Sequence, residues 1–82
     1  MKMTLAHYDY LKDRIAAQSK FIPQYRERIA NNPRVKNADM RLRWDMLHNS
    51  VDSGWICENL YPYLDDTHID TALRAVMDSI AN

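Results

Sequence analysis

Eighty-two residues hold eleven acidic and eleven basic side chains, three histidines, one cysteine and one glycine, for a formal net charge of zero. A chain of that length supports one hydrophobic core, residues 1–82 as a single domain, and leaves no room for a second. The lone cysteine excludes an internal disulfide, and the lone glycine excludes the glycine-rich loops through which backbone amides approach a phosphate.

The first element in chain order is an amphipathic helix. Thr4 is placed to cap it, and Leu5, Tyr8, Leu11 or Lys12, and Ile15 recur at three- and four-residue spacing along one face. Phe21-Ile22-Pro23 interrupts the pattern, because proline lacks a backbone donor and crowds the preceding turn. Ile22, Tyr25 and Ile29 then predict a short second helix, closed by the turn signal Asn31-Asn32-Pro33. A single kinked helix from Thr4 to Ala30 fits the same spacing.

A third helix is expected over about residues 35–50, capped by Asn37 or Asn32, with Met40, Trp44, Leu47 and Val51 as its core stripe. Asp39–Arg43 and Arg41–Asp45 stand four residues apart and predict two local ion pairs. Asp52-Ser53-Gly54 reads as a turn into a short helix carrying Trp55, Ile56 and Leu60, which Pro62 ends. Cys57, flanked by Trp55 and Ile56, is expected in the core as a small apolar residue, with a reactive thiol as the alternative. The last helix starts near Asp66 or Thr67, with Thr67 and Asp70 at capping-box spacing and Ile69, Leu73, Val76 and Ile80 as its buried stripe. With no β-branched alternating run, the fold class expected is all-α: a compact bundle of three longer helices and one or two short ones.

Zero net charge conceals an uneven distribution. Residues 1–43 carry ten bases against four acids, net +6, and residues 44–82 carry one base, Arg74, against seven acids, net −6. The asymmetry predicts an internal electrostatic clasp or two surfaces meant for different partners.

Asp66, His68 and Asp70 alternate carboxylate and imidazole in the manner of metal ligands. Alternate residues on a helix diverge by about 200°, so a metal there needs His7 or His48, and helix capping is the simpler role. Ser50, Ser53, Cys57 and the histidines sit in no nucleophile motif, and the expectation is a protein with no catalytic residue and no cofactor. Tyr8, Tyr25 and Trp44 fall on core stripes, whereas Tyr10 and one of Tyr61 and Tyr63 fall off them, as interface tyrosines do. On a helix from residue 35, Lys36 and Arg43 would oppose Arg34 and Arg41, which counts against a groove-reading DNA helix.

Arg41-Leu42-Arg43-Trp44-Asp45 and His68-Ile69-Asp70-Thr71-Ala72-Leu73-Arg74 carry a resemblance. In its second half the chain resembles a group of small proteins encoded by phages, prophages and plasmids. The resemblance brings no catalytic residues. It implies a setting in which small proteins bind and disable host machinery, anti-CRISPR proteins among them.

The expected function is a protein-binding module, a counter-defence inhibitor that occludes a host protein surface. The alternatives are a nucleic-acid accessory protein using the basic half, and a self-associating protein. Partner contacts are expected at Tyr10, Arg26, Arg28, Arg34, Lys36, Asp52, Glu58, Tyr61 and Tyr63. No signal-like apolar region and no stretch of about 18 apolar residues occurs, so the expected location is the cytoplasm.

Overall fold

Helices make up most of residues 3–81, the part of the chain that the computed structural model describes. They are α1 (Leu5–Gln18), α2 (Ile22–Ala30), α3 (Ala38–Ser50), α4 (Ser53–Asn59) and α5 (Asp66–Ala81), with a 3₁₀ turn at Ser19–Phe21. Among the described residues there is no strand, and no helix is long and apolar enough to cross a membrane. The all-α bundle is as expected, with α1, α3 and α5 long and α2 and α4 short.

Local chemistry sets the boundaries. The Thr4 hydroxyl accepts the His7 backbone N–H at 3.2 Å, and the Asn37 side chain accepts that of Met40 at 3.0 Å. Each satisfies a donor that the first helical turn cannot. α1 gives way to the 3₁₀ turn ahead of Pro23, which then occupies the first turn of α2, where a missing N–H costs nothing. The first two segments are therefore separate helices. Asp65 caps the start of α5: its carboxylate accepts the His68 N–H at 2.9 Å and its carbonyl the Ile69 N–H at 3.0 Å.

α3 is central, packing on α1, α2 and α5, while α1 also packs on α5. The core joins Leu11 and Ile15 of α1, Tyr25 and Ile29 of α2, Leu42, Met46 and Leu47 of α3, and Ile69, Leu73 and Val76 of α5. α4 is held by Ile56 and by an aromatic contact to α1. There Trp55 stacks on Tyr10 at 4.6 Å between ring centroids and meets His7 edge-on at 5.7 Å.

Several expectations need correction. Leu5 is exposed, because it lies roughly 80° around α1 from Ile15, at the flank of the buried face. α3 starts at Ala38, and its buried face is Leu42, Arg43, Met46 and Leu47. That is about a quarter turn from the expected stripe, so Met40 is exposed and Trp44 half-buried, while Leu47 and Val51 remain in the core. Cys57 is exposed: one helical residue advances about 100°, so its apolar sequence neighbours are not its neighbours in space. Asp65, not Thr67, caps α5.

Candidate binding surface

Polar chemistry inside the fold is concentrated in one ion pair. Arg43, only 8% exposed, donates Nε to Asp70 Oδ1 at 2.9 Å and Nη2 to Asp70 Oδ2 at 3.0 Å. The planar guanidinium matches the carboxylate fork, which makes this geometry both strong and directional. Arg43 holds Asp70 below the usual carboxylate range against the opposing effect of burial. Arg74, 3.9 Å away, adds a smaller lowering, and so does the Trp44 indole, although its N–H forms no well-shaped hydrogen bond. This pair is the internal clasp between the basic and acidic halves. It displaces the expected Asp39–Arg43 pair and the capping role for Asp70; Asp39 instead meets Arg26 at 3.3 Å. Arg41–Asp45 forms as expected, at 3.0 Å.

With Arg43 turned inward, three other bases converge outside. The loop from Asn31 to Asn37 is shaped by the Asn32 side chain, which accepts the Arg34 N–H at 3.0 Å, and by the Val35 N–H bond to the Asn32 carbonyl at 3.2 Å. Val35 rests against the core, leaving its neighbours Arg34 and Lys36 exposed. With Arg41 of α3 they border a groove of about 360 Å³ whose apolar lining is Val35, Met40 and Trp44. No carboxylate lines it, and Arg34 and Lys36 have no acidic partner among the described residues. Residues 34–37 precede the helix, so Lys36 does not oppose Arg34 and Arg41 as a helix from residue 35 would require.

A second cleft, of about 420 Å³, lies between α2 and the end of α5, over Ile22, Leu42, Met46, Met77 and Ile80. A neighbouring hollow of about 410 Å³ shares Arg26, Leu42, Met77 and Asp78 with it, and there Arg26 is engaged by Asp39 and Arg74 lies against Asp70.

The residues expected at an interface divide accordingly. Arg34 and Lys36 join the groove, Arg26 is paired with Asp39, and exposed Arg28 borders a separate hollow beside Phe21 and Tyr25. Tyr10 is half-buried, stacked on Trp55 with the Arg14 guanidinium 5.2 Å from its ring centre, and lies outside the groove. Tyr61 and Tyr63 are both exposed, at 45% and 46%. Glu58 is exposed near the end of α4, while Asp52 is exposed at its start and makes no side-chain cap bond. Met40, Arg41 and Trp44 are groove residues that sequence reasoning misses. Their signal in the sequence is the pair Asn32 and Asn37, the first turning the loop and the second capping α3.

The acid and imidazole run does not converge. Asp70 faces Arg43, and His68 Nδ1 lies 2.7 Å from Asp65. The His68 backbone N–H holds Asp65 below the ordinary carboxylate range. Among the described residues no three His, Cys, Asp or Glu side chains are grouped so as to hold a metal ion.

Cys57 should react fully with a thiol reagent in the native state, without denaturant. Mass spectrometry against time reads this directly; a thiol protected until denaturant is added would contradict its exposure.

No family model matches this chain, and no match was found among curated proteins or solved structures.

Proposed function

We propose that this protein is a non-catalytic protein-binding module that seats an acidic surface of a partner protein in the Arg34–Trp44 groove and blocks what that surface would otherwise engage. The observation that carries this reading is the groove itself: Arg34 and Lys36, without an acidic partner among the described residues, and Arg41, which Asp45 engages, stand around an apolar lining with no carboxylate among its residues. Buried apolar anchors supply affinity, and rim charges select and steer the partner. The apolar lining favours a protein over nucleic acid, since a phosphate-tracking surface needs a longer basic track and the next base of α3, Arg43, is buried. The resemblance to phage and plasmid proteins supplies the setting: a counter-defence inhibitor of the anti-CRISPR kind, acting on a host protein in the cytoplasm.

Affinity capture from a bacterial lysate, followed by reconstitution with the purified captured protein, tests the reading. The wild-type chain should retain one protein stoichiometrically, and Arg34→Glu with Lys36→Glu should weaken the reconstituted complex about ten-fold or more. Recovery of bulk nucleic acid released by moderate salt, with no stoichiometric protein, would overturn it.

A further inference from the structure

We infer that the basic groove also has an occupant within this protein: the acidic segment Glu58–Asp66 of a second copy. Between Arg43 and Arg74 the chain contains no lysine or arginine, and within this segment Glu58, Asp65 and Asp66 surround Tyr61 and Tyr63. The opposing groove offers Arg34, Lys36 and Arg41 around Val35, Met40 and Trp44. Glu58 and Asp66, with two aromatic anchors, thus match Arg34 and Lys36 beside an apolar lining, while Asp65 is engaged by His68 and Arg41 by Asp45.

The segment is already shaped for docking. Leu60 is fully buried and Leu64 packs partly against the core, so the intervening tyrosines project from a fixed base. The Tyr61 N–H is donated to the Ile56 carbonyl at 3.2 Å, and the Tyr63 and Leu64 N–H groups to the Leu60 carbonyl at 3.0 and 2.9 Å. Asp65 is held by its cap bond to His68. A preorganised segment loses little conformational entropy on docking, and tyrosine buries much area with few rotatable bonds.

The two surfaces do not meet within one copy. Tyr61, Tyr63 and Met40 all stay exposed, and both the loop before α3 and the segment before α5 are pinned to the core by Val35, Leu60 and Leu64. Contact between them is therefore intermolecular. It joins unlike surfaces, so it closes as a two-fold pair when each copy both gives and receives a segment, and otherwise extends head to tail. In either form self-association competes with any partner for the groove.

Sedimentation velocity on the whole chain tests this. At low ionic strength the weight-average mass should rise above that of the monomer from micromolar to millimolar concentration. It should fall back near 1 M salt, where the screening length shrinks to about 3 Å. Arg34→Glu with Lys36→Glu, and separately Glu58→Lys with Asp66→Lys, should each leave a monomer with unchanged helical circular dichroism. All four positions are exposed, so the fold should tolerate them. Mixing the two variants restores opposite charge at both contacts and should restore association. A wild-type chain that stays monomeric at millimolar concentration and low salt would sink the inference. So would variants that associate like wild type, or a mixture that remains monomeric.

Discussion

Asp70→Ala should destabilise the fold by about 3–5 kcal/mol, measured by urea unfolding at neutral pH. The magnitude follows from what the substitution leaves behind. Arg43 lies between Leu42 and Met46 on the buried face of α3, and without Asp70 its charge has no partner of comparable geometry. Arg43→Met with Asp70→Leu removes both charges and should cost much less than Asp70→Ala alone, because no desolvated ion is stranded. Equal losses in the single and double variants would mean that the pair contributes by shape rather than by charge.

The same pair gives an acid dependence with a definite sign. Asp70 is held below its ordinary value of 3.8, so its contribution is present above that value. It is lost as pH falls below 3.8 and through the lower value of the folded state. Stability of the wild-type chain should therefore decline in this window more steeply than that of Asp70→Ala.

Leu73→Ala should cost about 3 kcal/mol, within the range of about 2–5 kcal/mol for emptying a fully buried leucine site. Leu73 has no solvent exposure and sits on the α5 face that meets α1 and α3, so no neighbour can move in without disturbing another contact. A domain of this size has a net stability of roughly 4–12 kcal/mol, so the variant should melt well below the wild type. Leu5→Ala is the matched control. Its side chain is 76% exposed, and its loss should leave the transition almost unmoved. If the two variants melted alike, α5 or α1 would have to turn a different face to the core.

Legibility in the sequence follows the range of each interaction. Thr4 and Asn37 announce helix starts through bonds that span three residues, and Pro23 and the Asn31-Asn32-Pro33 turn announce breaks through their own backbone preferences. The α5 stripe is legible because its buried positions Ile69, Leu73 and Val76 are all apolar. On α3 the same reasoning fails for a physical reason. The buried face contains Arg43, and a charged residue at its centre makes the neighbouring Met40–Trp44 line look like the better core.

The candidate site is partly legible in the same way. Arg34 and Lys36 stand out as bases without local acids, and Tyr61 and Tyr63 as aromatics off any stripe. Tyr10 stands out equally, yet it stacks on Trp55, forty-five positions away, which no local pattern encodes. Arg41 bonds to Asp45 as their spacing predicts, but that contact leaves the arginine half exposed beside the groove.

The sequence by itself determined the all-α class, three long helices with one or two short ones, the Thr4 cap, the interruption at Pro23, the turn at Asn31-Asn32-Pro33, and the split of charge between the halves. Those properties depend on backbone dihedrals and on side chains within one helical turn. Only the tertiary structure decided which charges are spent inside and which face outward. Arg43 and Asp70 meet across 27 positions, and once they are paired the remaining bases near α3 are the ones that border the groove. A burial cost that one partner can offset only from a distant helix leaves no periodic mark on either strip of sequence.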